Sequence, residues 1–250
     1  DEDKGPLAFI ERSRQENHEQ FSQEFLLSSP EGKTIEFLAG IYYQTENLAN
    51  DKITPVAISA IPALESVLLG ISNNILTANS MPTLSSLDSA NTAFFRQETE
   101  TYSAFAEVTW NVTDAFRVTS GLRYSEEEKD MVKGQPDGDP VLDFVYANIL
   151  SFMSPHHQEM DRSEEHWTGK INLQYDVNAD AMVYLNVSNG VKGGGFDEDN
   201  ALGRDDVAEF EEEKVKSIEL GAKMEFWNGR ARLNMALFKN DFKDVQVSTF

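Results

Sequence analysis

Residues 98–124, ETETYSAFAEVTWNVTDAFRVTSGLRY, decide how the rest of the chain is read. Tyr102, Ala104, Ala106, Val108 and Trp110 alternate with Thr101, Ser103, Glu107 and Thr109. After Asn111-Val112-Thr113-Asp114, Phe116, Val118, Leu122 and Tyr124 alternate with Arg117, Thr119 and Arg123. Period two over this length predicts strand, tight turn, strand, with one apolar and one polar face. The apolar face is small and aliphatic in mid-strand and aromatic at both ends, with Tyr102 and Tyr124 at one and Trp110 and Phe116 at the other. The polar face carries Glu107, Arg117 and Arg123, charges that a dry core accepts only when paired. An apolar band with aromatic rims, backed by a polar face, is how a transmembrane barrel hairpin presents itself from lipid to lumen.

The same pattern recurs on either side. Gln20–Ser28 and Lys33–Gln44 flank the turn Ser29-Pro30-Glu31-Gly32, with Pro preset for its second position and Gly tolerant of positive φ. Glu165–Asp176 places Trp167, Gly169, Ile171, Leu173 and Tyr175 opposite His166, Thr168, Lys170, Asn172 and Gln174, and a strand with Val183, Leu185 and Val187 on one face follows the turn at Val177–Asp180. The last pair brackets Asn228-Gly229, the strongest hairpin signal in the chain. Eight strands result, joined by four short turns and by three long connections at 45–97, 127–163 and 191–212. Inside the first, Leu64, Val67, Leu68, Ile71 and Ile75 recur at helical spacing after Pro62, which predicts a short amphipathic loop helix and not a span. Val141–Met153 is apolar enough for a short helix or strand. Backbone groups in lipid pair internally, so such a sheet closes into a barrel.

Composition narrows the function. The net charge of -22 argues against nucleic acid, whose phosphates it repels. No Cys is present, so there is no disulfide framework, Cys-based metal site or thiol nucleophile. The acids gather at Glu126–Glu165, eleven against three basic residues, and at Asp197–Glu213, nine against one Arg. They read as solvated loops, or as holders of divalent cations, directly or between lipopolysaccharide phosphates. No signal peptide begins at Asp1.

From about Phe21 onward the chain resembles the barrel of a TonB-dependent outer-membrane receptor. The resemblance is carried by Phe21–Phe25 with Leu27–Pro30, Gly121-Leu122-Arg123-Tyr124, Gly190–Phe196, Ser217–Lys223 and Asp244-Val245-Gln246, in order and at family spacing. Val191, Asp197 and Glu212 depart from the residues the family commonly has there. The resemblance implies an all-β, antiparallel up-and-down transmembrane β-barrel with long external loops, of which this chain supplies about eight of 22 strands. On that reading residues 1–250 are part of the barrel, without the plug domain, the TonB box or the remaining strands. It further implies import of a scarce nutrient, a ferric siderophore foremost, across the outer membrane of a Gram-negative bacterium, with energy from the TonB complex reaching the receptor through the plug. The other partners on this reading are the imported nutrient and outer-membrane lipids; nucleic acid is excluded. Two alternatives compete, a passive eight-stranded barrel of structural or adhesive role and a soluble β-sandwich binding module.

The candidate site residues follow from these faces. Glu107, Arg117, Arg123, Lys170, Glu219, Lys223 and Arg232 fall inward and are expected to line the lumen wall as paired charges holding the plug. His156, His157, Lys192 and Phe196 are the external-loop candidates. His156-His157 with Glu159 and Asp161 has a metal-like composition but no fixed spacing on a regular element, and reads as polar loop. His166 is expected to face the lumen near the outer rim. Gly193–Phe196 only superficially resembles a phosphate loop, because an acidic run follows it. No nucleophile, cofactor motif or metal set stands out, so an enzyme is not expected.

Overall fold

Strand pairing carries the apolar alternation from one end of the sheet to the other without a slip of face. The computed structural model describes residues 13–136, 138–151, 154–198, 204 and 208–247. Expectations for residues 1–12, Phe152–Met153, the middle of the second acidic run and Phe250 lie outside them. Strands β1 (Ser13–Ser28), β2 (Ile35–Val56), β3 (Ser89–Asn111), β4 (Phe116–Gln135), β5 (His156–Asn178) and β6 (Ala181–Lys192) pair in sequence order. A small hairpin of β7 (Gly195–Phe196) and β8 (Glu209–Phe210) intervenes before β9 (Glu213–Phe226) and β10 (Ala231–Lys243) complete an eight-stranded antiparallel sheet.

Register explains the two faces. Phe25, Ile41, Ala104, Tyr124 and Trp167 lie side by side across β1 to β5, and Leu173, Leu185, Leu220 and Leu237 across β5 to β10. Phe25, Ile41, Trp167, Leu220 and Leu237 are exposed, Phe25 at 65% and Leu237 at 76%, while Tyr124, Leu173 and Leu185 are half-buried. Leaving a large apolar side chain in water forfeits roughly 1.5–3 kcal/mol, so a whole sheet face of them belongs in hydrocarbon. At its upper edge Tyr43 packs tilted against Tyr102 and Tyr124 against Trp167, both at 5.0 Å between ring centroids. Trp110, Phe116 and Tyr175 mark the lower edge. Tyr102 to Trp110 spans about 26 Å along the strand at ~3.3 Å per residue, close to the ~25 Å apolar band of outer-membrane barrels.

The short turns within the hairpins gather at the lower end. Gly32 and Gly229 take φ of 75° and 79°, the left-handed conformation that glycine adopts without strain. At the opposite end the connections are long but shorter than the sequence predicts, at 57–88, 136–155 and 193–212. Residues 45–56, 89–97, 127–135 and 156–163 are paired strand, not loop. The ladder runs on past the aromatic rim, where both faces turn polar and alternation disappears. Much of the first acidic run is thus a pair of strands, in which Glu126 faces Glu165, Glu127 faces Glu164 and Asp130 faces Asp161.

Above the strands two connections pack into a cap. Helix α1 (Pro62–Ala78) starts at Pro62 as predicted, and α2 (Pro140–Val145) runs on into a π-helical turn at Tyr146–Leu150. Val56, Ile58, Leu76, Leu87, Val145 and Tyr146 form its buried core. The Tyr146 hydroxyl donates to Leu87 O, and Asp139 caps α2 by accepting from Val141 N and Leu142 N. Among the described residues no helix is long and apolar enough to cross a membrane; crossing falls to the strands.

The sheet is open. Among the described residues β1 and β10 each have one neighbour, so the closed eight-stranded barrel, which needs β1 to pair with β10, is not formed by them. No second large sheet covers the apolar face among the described residues, which removes the β-sandwich as well.

Inward, glycines receive aromatic rings. A Cβ on Gly40 would sit 2.6 Å from Phe105 Cζ and 2.9 Å from Phe25 O, and one on Gly221 would enter the Tyr184 ring. The Gly40→Ala variant is expected to lose about 1–3 kcal/mol, because the Phe25 carbonyl cannot move aside as a side chain can; urea unfolding of the receptor in vesicles reads this, and an unchanged midpoint would contradict it. Burial and the Asp88 carboxylate push the Tyr146 phenol up to about 12. With its folded value above the ordinary one near 10, its contribution is complete below pH ~10 and lost as pH rises through about 12. A tyrosinate absorbance titration, differenced against Tyr146→Phe, is expected to isolate one group with that late midpoint.

Candidate functional site

Strand parity puts all seven predicted wall residues on the inward face, and each is engaged there. Lys170 Nζ lies 2.5 Å from Glu107 Oε2, across the glycine step at Gly121. Arg123 donates to Ser103 Oγ at 2.8 Å and Ser125 Oγ at 3.1 Å, while its guanidinium lies 5.4 Å from the ring centres of both Tyr42 and Phe105. That aromatic bracket goes unread in the sequence, where Phe105 merely interrupts a polar row. Tyr184 joins two candidates, donating to Glu219 Oε1 at 2.6 Å beneath the Lys223 ammonium. Arg117 pairs with Asp176 at 2.7 Å and Arg232 with Glu225. Arg117, Lys223 and Arg232 share one open hollow of about 830 Å³ at the short-turn end.

The external-loop candidates separate. His156 and His157 are neighbours on β5 and so point to opposite faces. His156 Nδ1 meets Ser154 O at 2.7 Å on the inward side, and His157 Nε2 meets Glu159 Oε1 at 3.0 Å on the outer. They form no common metal site. Lys192 is exposed at the inward end of β6. Phe196 is 6% exposed and packs with Phe95 and Met131, flanked by Leu48 and Met160, so its ring is core and not a free loop contact.

Phe196 belongs to a feature that the sequence reading misses. After β6 the chain does not rise away from the barrel but folds inward and crosses the polar face toward β1. Gly194 N donates to Glu164 Oε2 at 2.9 Å and Gly194 O accepts from Lys129 Nζ at 2.5 Å. Asp197 O accepts from Lys133, a lysine 2% exposed. Glu198 ends the crossing, accepting from Asn50 Nδ2 at 2.7 Å, 2.9 Å from Arg14 Nη1 and 3.4 Å from Lys52 Nζ. The β7–β8 pairing then returns the chain to Arg162, which meets Glu164, Glu209 and Glu211. The Gln246 amide closes the neck by donating to Gly193 O at 3.0 Å and Glu211 O at 2.9 Å. Glycines at 194 and 195 are needed because a Cβ on either would strike Arg162, the Phe210 carbonyl or the Phe210 ring. Burial raises the Glu164 pKa, but the Arg162 hydrogen bond, the Gly194 amide and the nearby charges outweigh it, and the carboxyl titrates below the usual value. Of this network the sequence offered only the three basic residues Lys129, Lys133 and Arg162 within an acidic run as a signal.

A barrel wall with short turns at one end, capped long connections at the other and a loop folded over its polar face calls for comparison with known proteins. The family described as TonB dependent receptor-like, beta-barrel, matches residues 17–250. The chain belongs to the TonB-dependent receptor family. It is similar to the pesticin receptors of Yersinia pestis, at 27% identity, and Yersinia enterocolitica, at 26%, in both cases over 68% of this chain and 22% of the relative. Among solved structures, the ferric yersiniabactin uptake receptor from Yersinia pestis covers 98% of the chain with a TM-score of 0.72 and 20% identity, the match taking in 32% of that receptor. The ferric-catecholate import receptor of E. coli K12, in its open form, covers 92% with a TM-score of 0.56 and 14% identity, over 31% of its own length. At such identities these structures speak for the fold. The receptor chain thus spans about a fifth of its curated relatives' length. It is an outer-membrane barrel of a Gram-negative bacterium.

Truncating Phe196 to Ala removes the packing that holds the loop down and is expected to cost about 3–5 kcal/mol locally. Hydrogen exchange of residues 193–198 in the detergent-solubilised receptor is expected to quicken while that of β4 and β5 at mid-membrane stays unchanged. Unaltered protection of 193–198 would show that Phe196 does not hold the loop.

Proposed function

We propose that this receptor imports a ferric siderophore, with the inward wall and folded loop forming one side of its path and TonB-derived energy arriving through a plug domain. The observation that carries the transport reading is the family match over residues 17–250. The ferric siderophore is the finer step, supported by the printed roles of the neighbours, uptake of ferric yersiniabactin and import of ferric catecholates. The wall chemistry agrees with passage of a polar cargo. At mid-wall its charges are paired with one another, Glu107 with Lys170 and Arg117 with Asp176. The role is that of a binding wall and carries no catalytic step.

The full receptor, expressed in a Gram-negative host stripped of its own siderophore receptors, is expected to support radioactive iron uptake from at least one siderophore in a mixed panel, and only when TonB is functional. TonB-dependent uptake of haem, cobalamin or an oligosaccharide, with every siderophore inert, would keep the transport reading and overturn the siderophore. Uptake that ignores TonB would overturn the energy coupling.

A further inference from the structure

Level with the folded loop, Glu127 and Glu164 face each other across β4 and β5, and His166 is the next inward residue of β5. These three bring one ligand atom each to within 4.8 Å of one another. The His166 side chain is 10% exposed, and both its ring nitrogens are closed to solvent without a hydrogen-bond partner. Nδ1 lies 3.0 Å from Glu212 Oε2 and Nε2 3.6 Å from Glu164 Oε2. The ring is therefore aimed at carboxylates from two sides in a geometry that makes no hydrogen bond. Glu127 Oε1 is closed off in the same way, 2.5 Å from Lys129 Nζ but without a hydrogen bond to it.

A buried imidazole with two unused nitrogens is costly to leave so, and an orphan of this kind points to a bound ion. The charge around it agrees. The ion pairs centred on Lys129, Arg162 and Lys214 join them to Glu127, Glu164, Glu209, Glu211 and Glu212, three permanent cations against five carboxylates. One divalent cation would balance that excess.

We infer that Glu127, Glu164 and His166 hold a divalent metal ion of the zinc class, with Nε2 of His166 turned to the ion and Glu212 accepting from Nδ1 on the other side of the ring. One imidazole nitrogen among carboxylate oxygens suits Zn²⁺, whereas Ca²⁺ and Mg²⁺ take oxygen-only sets. On binding, Lys129 yields Glu127 to the metal and keeps Gly194 O, from which its ammonium already lies 2.5 Å away. The ion ties β4 to β5, and Glu212 on Nδ1 of the ligand imidazole brings in the segment entering β9, so the neck of the folded loop is fastened. It is a resident structural ion and does not depend on what the receptor transports.

The full receptor in detergent, stripped with a chelator, is titrated with Zn²⁺ alone by calorimetry and with Co²⁺ read by visible absorption. One Zn²⁺ per chain is expected. His166→Ala and Glu127→Gln are each expected to weaken it by at least the roughly tenfold that losing a mere supporting partner costs, while His157→Ala on the outer face leaves it unchanged. Heat-dependent gel mobility certifies that each variant is folded, and if one is not, the other decides. No binding by the folded receptor, wild-type affinity in the folded variants, or displacement of Zn²⁺ by equimolar Ca²⁺ would each overturn the proposal.

Discussion

A strand inside hydrocarbon has nowhere to put an unpaired N–H or C=O, and the rest of this molecule follows from that. Each unsatisfied group costs several kcal/mol, so the strands pair over their whole lipid-crossing length, and the one irregularity recorded in the sheet, at Asp176 and Asn178, sits at the turn end. Because pairing is continuous, side-chain period is fixed at two, and a single-residue slip would turn Arg123 and Lys170 out to lipid. The same constraint bears on β1 and β10. Their outer edges have no partner strand among the described residues, and in lipid each would need one.

What the sequence made legible is what this constraint writes locally. Within the band, alternation, aromatic rims and turn residues sit within a few positions of one another, so hairpins and inward faces could be read from Tyr102, Trp110 and Asn228-Gly229 alone. Helix α1 was legible as an element from Pro62 and helical spacing, but not its packed face: Leu64, Val67, Ile71 and Ile75 are exposed, and the helix packs through Leu68, Leu69, Ser72 and Leu76. Above the rim both faces are polar, apolar alternation is lost, and strand at Glu126–Asp130 looks like loop although its ladder is intact. The folded loop was illegible on other grounds. Its contacts reach from Gly194 back to Glu164 and Lys129, and from Glu198 to Asn50 and Arg14, and no local pattern records a contact over 148 residues of chain. His156 and His157 mislead in the reverse sense, adjacent in sequence and opposed in space.

Facing acids across β4 and β5 show how solvent decides which charges need partners. Like charges directly opposite in a ladder are destabilising. On the outer face Glu126 and Glu165 stand in water, where each unit of repulsion is about 1 kcal/mol at 4 Å and salt screens it within about 10 Å. On the inward face the loop covers the ladder, water is scarce and the same repulsion would be several times larger. There Lys129 and Arg162 stand opposite each other among the acids, Lys129 paired with Glu127 and Arg162 with Glu164 and Glu211. Arg162 alone meets three of them, a geometry open to its planar, multi-donor guanidinium more than to a lysine ammonium. The covering loop and the inner cations therefore depend on each other. Without the cations the loop would close over unscreened carboxylates, and without the loop the cations would have no reason to be so fully engaged.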